Sequence, residues 1–195
     1  MTIFPGSWNM PADSSALKEV KRGDVKVMVS TEDKAQKEIA AALAEGLMVG
    51  FASNSSFSSV KRGVFAFQSS SVKTQNFSYE DQWLRAKTGG GQEVVKVGSR
   101  QFTRLYAGGL IDQAKLEKLS ITEFDVNNFL KSILKEHRAK VRLFSNCPPI
   151  ARDQWTYSYE ILVESPSVSL TVSREIISYQ EEEVFVHAFL LCPVR

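Results

Sequence analysis

Apolar residues along this chain follow two spacings. Ile39, Leu43 and Leu47 recur every four positions, so residues 32–46 are predicted as an amphipathic helix stopped near Gly46. Thr31 and Asp33 supply its cap and an acidic first turn. A second helix is predicted through Phe129, Ile133 and Leu134, and Lys135, His137 and Arg138 at its end suit the negative pole of the helix dipole. Elsewhere the period is two. Residues 76–84 place Phe77, Tyr79, Asp81 and Trp83 on one face and Ser78, Glu80 and Gln82 on the other. Residues 155–163 set Trp155, Tyr157 and Tyr159 against Thr156, Ser158 and Glu160 in the same way. Residues 25–30, 47–52, 64–67 and 141–144 read as short strands, the last broken by Cys147-Pro148-Pro149. The serine-rich stretches 53–59 and 69–71 read as solvated loops, and residues 1–15 as an irregular arm.

Two hairpin patterns, residues 89–111 and 173–194, resemble each other. Glu93-Val94-Val95 matches Glu175-Ile176-Ile177 at an offset of 82, and residues 102–106 match 185–189 at an offset of 83. The aromatic strands match at an offset of 78. Helix, aromatic strand and hairpin thus occur twice in one order. The predicted fold class is α+β: an internally duplicated, largely antiparallel sheet with two main helices packed on one side. The expected organisation is an arm and short strand over residues 1–30, then one domain over 31–195 with half-repeats near 31–112 and 121–195.

Composition narrows the functional classes. A chain of 195 residues buries roughly 70% of its unfolded surface and needs neither disulfide nor metal to fold. The formal net charge is +2, and the basic residues are scattered, so no nucleic-acid partner is expected. Cys147 and Cys192 have no metal-binding spacing and read as two free thiols of an intracellular, cytoplasmic protein. No basic-then-apolar leader opens the sequence and no apolar run reaches membrane-spanning length, so no membrane partner is expected. With two histidines, no Gly-x-Ser-x-Gly and no Lys-Ser/Thr after the glycine run 89–91, no catalytic triad, metal, phosphate loop or cofactor is predicted. Those glycines read as turn-formers, and Glu181-Glu182-Glu183 as a solubilising hairpin tip.

Short motifs carry a family resemblance. Phe77-Ser78-Tyr79-Glu80-Asp81, Gly91-Gln92-Glu93 and Tyr106-Ala107-Gly108-Gly109 resemble the first half of a C-terminal domain of unknown function in some bacterial XRE-type helix-turn-helix regulators. Phe129-Leu130-Lys131, Cys147-Pro148-Pro149, Trp155-Thr156-Tyr157, Glu175-Ile176-Ile177 and residues 184–189 are similar to its second half. The resemblance spans roughly residues 35–192. Departures are the missing helix-turn-helix, Ser173-Arg174 where that family has glycine before Glu175, and Leu190-Leu191-Cys192 in place of a closing Gly-Gly. What the resemblance implies is a sensor-like or interaction module, with no reaction to carry over.

Several polar residues fall on apolar faces. Asp81 lies between Tyr79 and Trp83, where an ionised carboxylate is costly unless paired; it reads as a ligand anchor or as a hydrogen-bonded strand-end residue. Glu93 and Glu175 occupy matching positions, as paired carboxylates of a pocket or as ion-pair partners on a solvated face. Arg104 and His187 also match, each flanked on its face by aromatic residues. The leading expectation is a non-catalytic module that binds a small ligand or protein partner on an aromatic-lined sheet. Its proposed lining is Asp81, Trp83, Arg104, Tyr106, Trp155, Tyr157, Tyr159 and His187. Two alternatives stand beside it: a hydrolase- or transferase-like enzyme using these carboxylates with His187, and a viral or host-interaction protein acting through its outer surface.

Overall fold

The computed structural model describes residues 31–52, 57–84 and 86–194, so the arm and strand expected over residues 1–30 lie outside the described residues. The fold is α+β. After helix α1 (Thr31–Val49) come strands β1 (Ser58–Arg62), β2 (Phe65–Lys73), β3 (Phe77–Leu84), β4 (Thr88–Val97) and β5 (Arg100–Leu110). Helices α2 (Gln113–Lys118) and α3 (Glu123–His137) follow, then a single 3-10 turn at Arg138–Lys140. Strands β6 (Cys147–Arg152), β7 (Trp155–Ser165), β8 (Leu170–Tyr179) and β9 (Glu182–Val194) complete the described chain. All nine strands form one antiparallel sheet in the order β1-β2-β3-β4-β5-β9-β8-β7-β6. The two hairpins β4–β5 and β8–β9 therefore meet at the centre. Glu93 lies opposite Arg104 in one, as Glu175 lies opposite His187 in the other.

Helices α1 and α3 cover one face of the sheet, and among the described residues no helix packs on the other. Ile39, Ala42 and Leu43 of α1 pack on Tyr79, Val95 and Leu191. Val126, Leu130, Ile133 and Leu134 of α3 pack with Tyr157, Ile177, Phe185 and Phe189. Each such fully buried aliphatic side chain contributes about 1.5–3 kcal/mol. On the far face Leu105 and Leu190, opposite each other across the β5–β9 seam, stay exposed. A reciprocal capping box starts α3: Asp125 N–H donates to Thr122 Oγ1, and Thr122 N–H donates to Asp125 Oδ2 at 2.8 Å. Among the described residues no helix is long and apolar enough to cross a membrane.

Four local expectations need correction. Helix α1 runs through Gly46 to Val49, and residues 47–52 form its last turn and exit rather than a strand. Gly46 is instead a point of close approach, since a Cβ there would sit 2.2 Å from the Tyr79 ring. The serines at 69–71 belong to β2, and Ser58 and Ser59 to β1. Residues 141–145 make no strand but a series of bends; Cys147-Pro148-Pro149 opens β6, an edge strand where the missing proline N–H groups cost no ladder bond. Lastly, Gly89, Gly90 and Gly91 lie within β4 and not in a turn.

Candidate functional site

Cross-strand register brings the site together on the covered face. Asp81 of β3 sits opposite Glu93 of β4, and Glu93 sits opposite Arg104 of β5. Two residues further along β5, Tyr106 faces Phe189 of β9. Arg104 Nη2 donates to Glu93 Oε1 at 2.8 Å and its Nε donates to Glu93 Oε2, an in-plane fork with both residues 1% exposed. Tyr79 donates to Glu93 Oε1 at 2.8 Å, and Tyr106 donates to Asp81 Oδ1 at 3.0 Å. Gly91 makes room for this last bond, because a Cβ there would lie 2.5 Å from the Tyr106 hydroxyl oxygen.

A matching network occupies the other half. Arg142 Nε and Nη2 donate to Glu175 Oε1 and Oε2 at 2.6 and 2.5 Å. The Tyr157 hydroxyl lies 2.8 Å from Glu175 Oε1 and 3.0 Å from the Val141 carbonyl oxygen, its single hydrogen serving one at a time. Tyr159 donates to the Leu143 carbonyl at 3.3 Å and lies 2.6 Å from Ser173 Oγ. The two tyrosines thus hold the carbonyls on either side of Arg142 and present its guanidinium to Glu175. Leu143 adopts φ 94°, a costly backbone conformation for a branched residue, in that same segment. Phe189 lies between the two cations, with the Arg104 and Arg142 guanidinium carbons 4.9 and 5.4 Å from its ring centroid.

Between this face and helices α1 and α3 lies a cavity of about 240 Å³. Asp81, Glu93 and Arg104 reach it from the sheet and Arg142 from the bend after α3, with Tyr106, His187 and Phe189 beside them. Trp83, Phe185 and Leu110, with Leu47 of α1, Phe51 of the turn after it and Leu130 of α3, give it apolar walls. Lys87, Glu123 and Asn127 add polar groups. The His187 ring packs against Phe185, Tyr106 and Phe189, with centroids 4.4, 5.6 and 5.8 Å away.

Burial reverses the ordinary charge states of two lining groups. Desolvation, reinforced by the charge of Glu93, pushes Asp81 up to about 8, so its carboxyl keeps its proton near neutrality. Desolvation pushes His187 down to about 4, and Arg142 and Arg104 add to this against the opposing pull of Glu175. Glu175 is the opposite case: burial raises it, but the Arg142 fork outweighs burial and leaves it below the usual carboxylate range. The inner part of the cavity therefore presents the Arg104–Glu93 pair, Arg142 paired to Glu175, a neutral carboxylic acid and a neutral imidazole, with Lys87 and Glu123 as its other charged lining groups. One donor is left over: Arg104 Nη1 is buried without a partner.

Of the residues singled out from sequence, the structure brings Asp81, Trp83, Arg104, Tyr106 and His187 to one cavity. Tyr157 and Tyr159 do not line it; they are buried and spend their hydroxyls on the Arg142 segment. Trp155 stacks on Phe129 and Tyr179 away from it. Glu93 and Glu175 lie on no solvated face, being 1% and 0% exposed. Arg142 is the main residue that the sequence reading missed, its signal being one cation inside the apolar run Val141-Arg142-Leu143-Phe144. Cys147 and Cys192 are free thiols. Among the described residues no group of three or more His, Cys, Asp or Glu side chains is placed to hold a metal ion. Comparison with protein-family models, with curated proteins and with solved structures finds no match to this chain.

Proposed function

We propose that this chain is a non-catalytic module that binds a small organic ligand in the cavity between the central strands and the two main helices. The observation that carries the reading is a preorganised cavity with apolar walls, two forked ion pairs and a buried guanidinium donor with nothing to bond. The proposal extends to the sensor-like module that the family resemblance implies, with the two halves as repeats of one unit. Asp81, Glu93, Tyr106, Gly108 and Gly109, which belong to the motifs of that resemblance, all line the cavity. The test is a thermal-shift screen of small organic compounds on the wild type and on Leu47→Trp, which fills the cavity from the α1 side. Hits that raise the melting temperature of the wild type alone support the reading. Hits of equal size on both proteins place binding elsewhere and refute it.

Catalysis is the second reading, favoured by one observation. Asp81 and His187 share the cavity as a protonated acid and a neutral base, with environments that drive their proton affinities apart. Binding ranks first because Glu93 and Glu175, the two buried glutamates beside Arg104 and Arg142, are each locked to an arginine and so are poorly placed to act as nucleophile or base. Turnover of a cavity-bound compound, abolished in both His187→Gln and Asp81→Asn, would move the balance to an enzyme.

A further inference from the structure

We infer that the cavity's ligand is a small organic acid, bound as its carboxylate through Arg104 Nη1 and the free oxygen of Asp81, with an aromatic or branched apolar body. This deepens the ligand-binding reading and rests on it.

The inner wall carries hydrogen-bonding groups that no neighbour uses. Arg104 gives Nε and Nη2 to Glu93, and its third nitrogen, Nη1, is buried and unpartnered. Tyr106 donates to Asp81 Oδ1, so the proton that Asp81 retains near neutrality is available on the other oxygen. The inner wall therefore offers these two donors, with the neutral His187 ring adding one N–H and one acceptor nitrogen beside them, while the carboxylates of Glu93 and Glu175 are taken up by the arginines. A carboxylate satisfies both donors with its two oxygens. A neutral carbonyl satisfies them less well, with one oxygen and no charge for the guanidinium. At the inner wall an ammonium ligand meets two buried cations, Arg104 and Arg142, and a Glu93 already paired, while Glu123 of α3 is an exposed lining group. Burying an anion is costly unless it is paired and hydrogen-bonded, and a guanidinium supplies both. The cavity, about 240 Å³, suits a small body. The remaining walls, Trp83, Phe51, Leu110 and Phe185, call for an apolar body.

The charge balance predicts coupling to protons. Asp81 is faced by Glu93 from β4, by Arg104 and Tyr106 from β5, and by Arg142 from the bend after α3. His187 from β9, Glu123 from α3 and Lys87 from the loop before β4 share the cavity, and α1 and the turn after it contribute the apolar Leu47 and Phe51. A carboxylate beside Asp81 adds a third anion near Glu93, so binding requires Asp81 to stay protonated. Affinity should hold steady up to about pH 8 and then fall about tenfold per pH unit.

The experiment is calorimetric titration of the full chain with benzoate, phenylacetate and 4-methylpentanoate, and with the matching amides and amines, at pH 6.5 and 9.5. The expected result is binding of at least one acid, its amide at least about tenfold weaker, and no binding of its amine. The acid should lose about thirtyfold in affinity between the two pH values. Asp81→Asn keeps a donor at that position and should bind the acid with no loss at pH 9.5. Amides or amines binding as tightly as acids would overturn the inference while leaving the cavity reading intact. So would acid binding that ignores pH in the wild type. Failure of every probe, whatever its charge, would overturn both readings.

Discussion

Asp81 is 4% exposed and faces Glu93, and burial with that neighbouring charge pushes its carboxyl from an ordinary 3.8 up to about 8. The consequence for stability has a definite sign. Below pH 3.8 both the folded and unfolded chains hold the proton, and the group has no effect. Between 3.8 and about 8 the unfolded chain has released a proton that the folded chain keeps, so stability falls as pH rises. At about 1.36 kcal/mol per pH unit, the penalty reaches about 4 kcal/mol at pH 7 and levels off above pH 8. Asp81→Asn removes the ionisation while keeping an oxygen to accept from Tyr106. Allowing about 1 kcal/mol for a poorer hydrogen bond, the variant should be about 3 kcal/mol more stable than the wild type at pH 7. For a chain of this length that is a rise of about 6–12 °C in melting temperature. Urea unfolding of both proteins at pH 4, 5.5, 7 and 8.5 checks it. The gain should grow steadily from near zero at pH 4. A gain that does not change with pH, or a less stable variant at pH 7, would refute the reasoning that Asp81 is held as a neutral acid.

The other expected outcomes concern its neighbours. Glu175→Gln leaves the Arg142 guanidinium, 6% exposed, without its counter-charge and should cost about 3–5 kcal/mol in chemical denaturation, far more than Arg174→Gln at the exposed Arg174–Glu160 pair. His187, lowered to about 4 chiefly by burial, stays neutral in the folded state while the unfolded chain takes up a proton below its ordinary 6.5. That contribution disfavours folding by about 3 kcal/mol at pH 4. His187→Gln should flatten the acid side of the stability profile, and imidazole resonances should show no protonation down to pH 5. Gly91→Ala pushes a methyl group against the Tyr106 hydroxyl and the Gln82 carbonyl, each 2.5 Å from the new Cβ. It should cost about 1–3 kcal/mol by urea unfolding.

What the sequence disclosed follows from its periodicity. Alternation alone put Tyr79, Asp81 and Trp83 on one face, and the matched hairpins gave Arg104 and His187 equivalent places opposite Glu93 and Glu175. Those steps need only local geometry, because a strand's side chains change face at every residue. Arg142 could not be found that way. It sits in a non-repetitive bend whose path is set by two hydroxyls from β7, Tyr157 and Tyr159, and the same fact takes those tyrosines out of the ligand wall. The end of α1 departs from the local signal for a related reason. Gly46 is a weak helix former on its own, but contact with the Tyr79 ring, 33 residues ahead in sequence, makes it the residue that fits there. Tertiary contacts of this kind leave no trace in local spacing.

The central claim is that the covered face of the sheet, and not its open face, is where this protein binds. A nuclear magnetic resonance titration with the acids named above tests it most directly, following the Arg104 Nε–H signal, the Trp83 indole and the methyl groups of Leu47 and Leu110. The account predicts saturable shifts confined to these cavity residues. Shifts confined to Leu105, Leu190 and their neighbours on the open face, with the Arg104 signal unmoved, would contradict it.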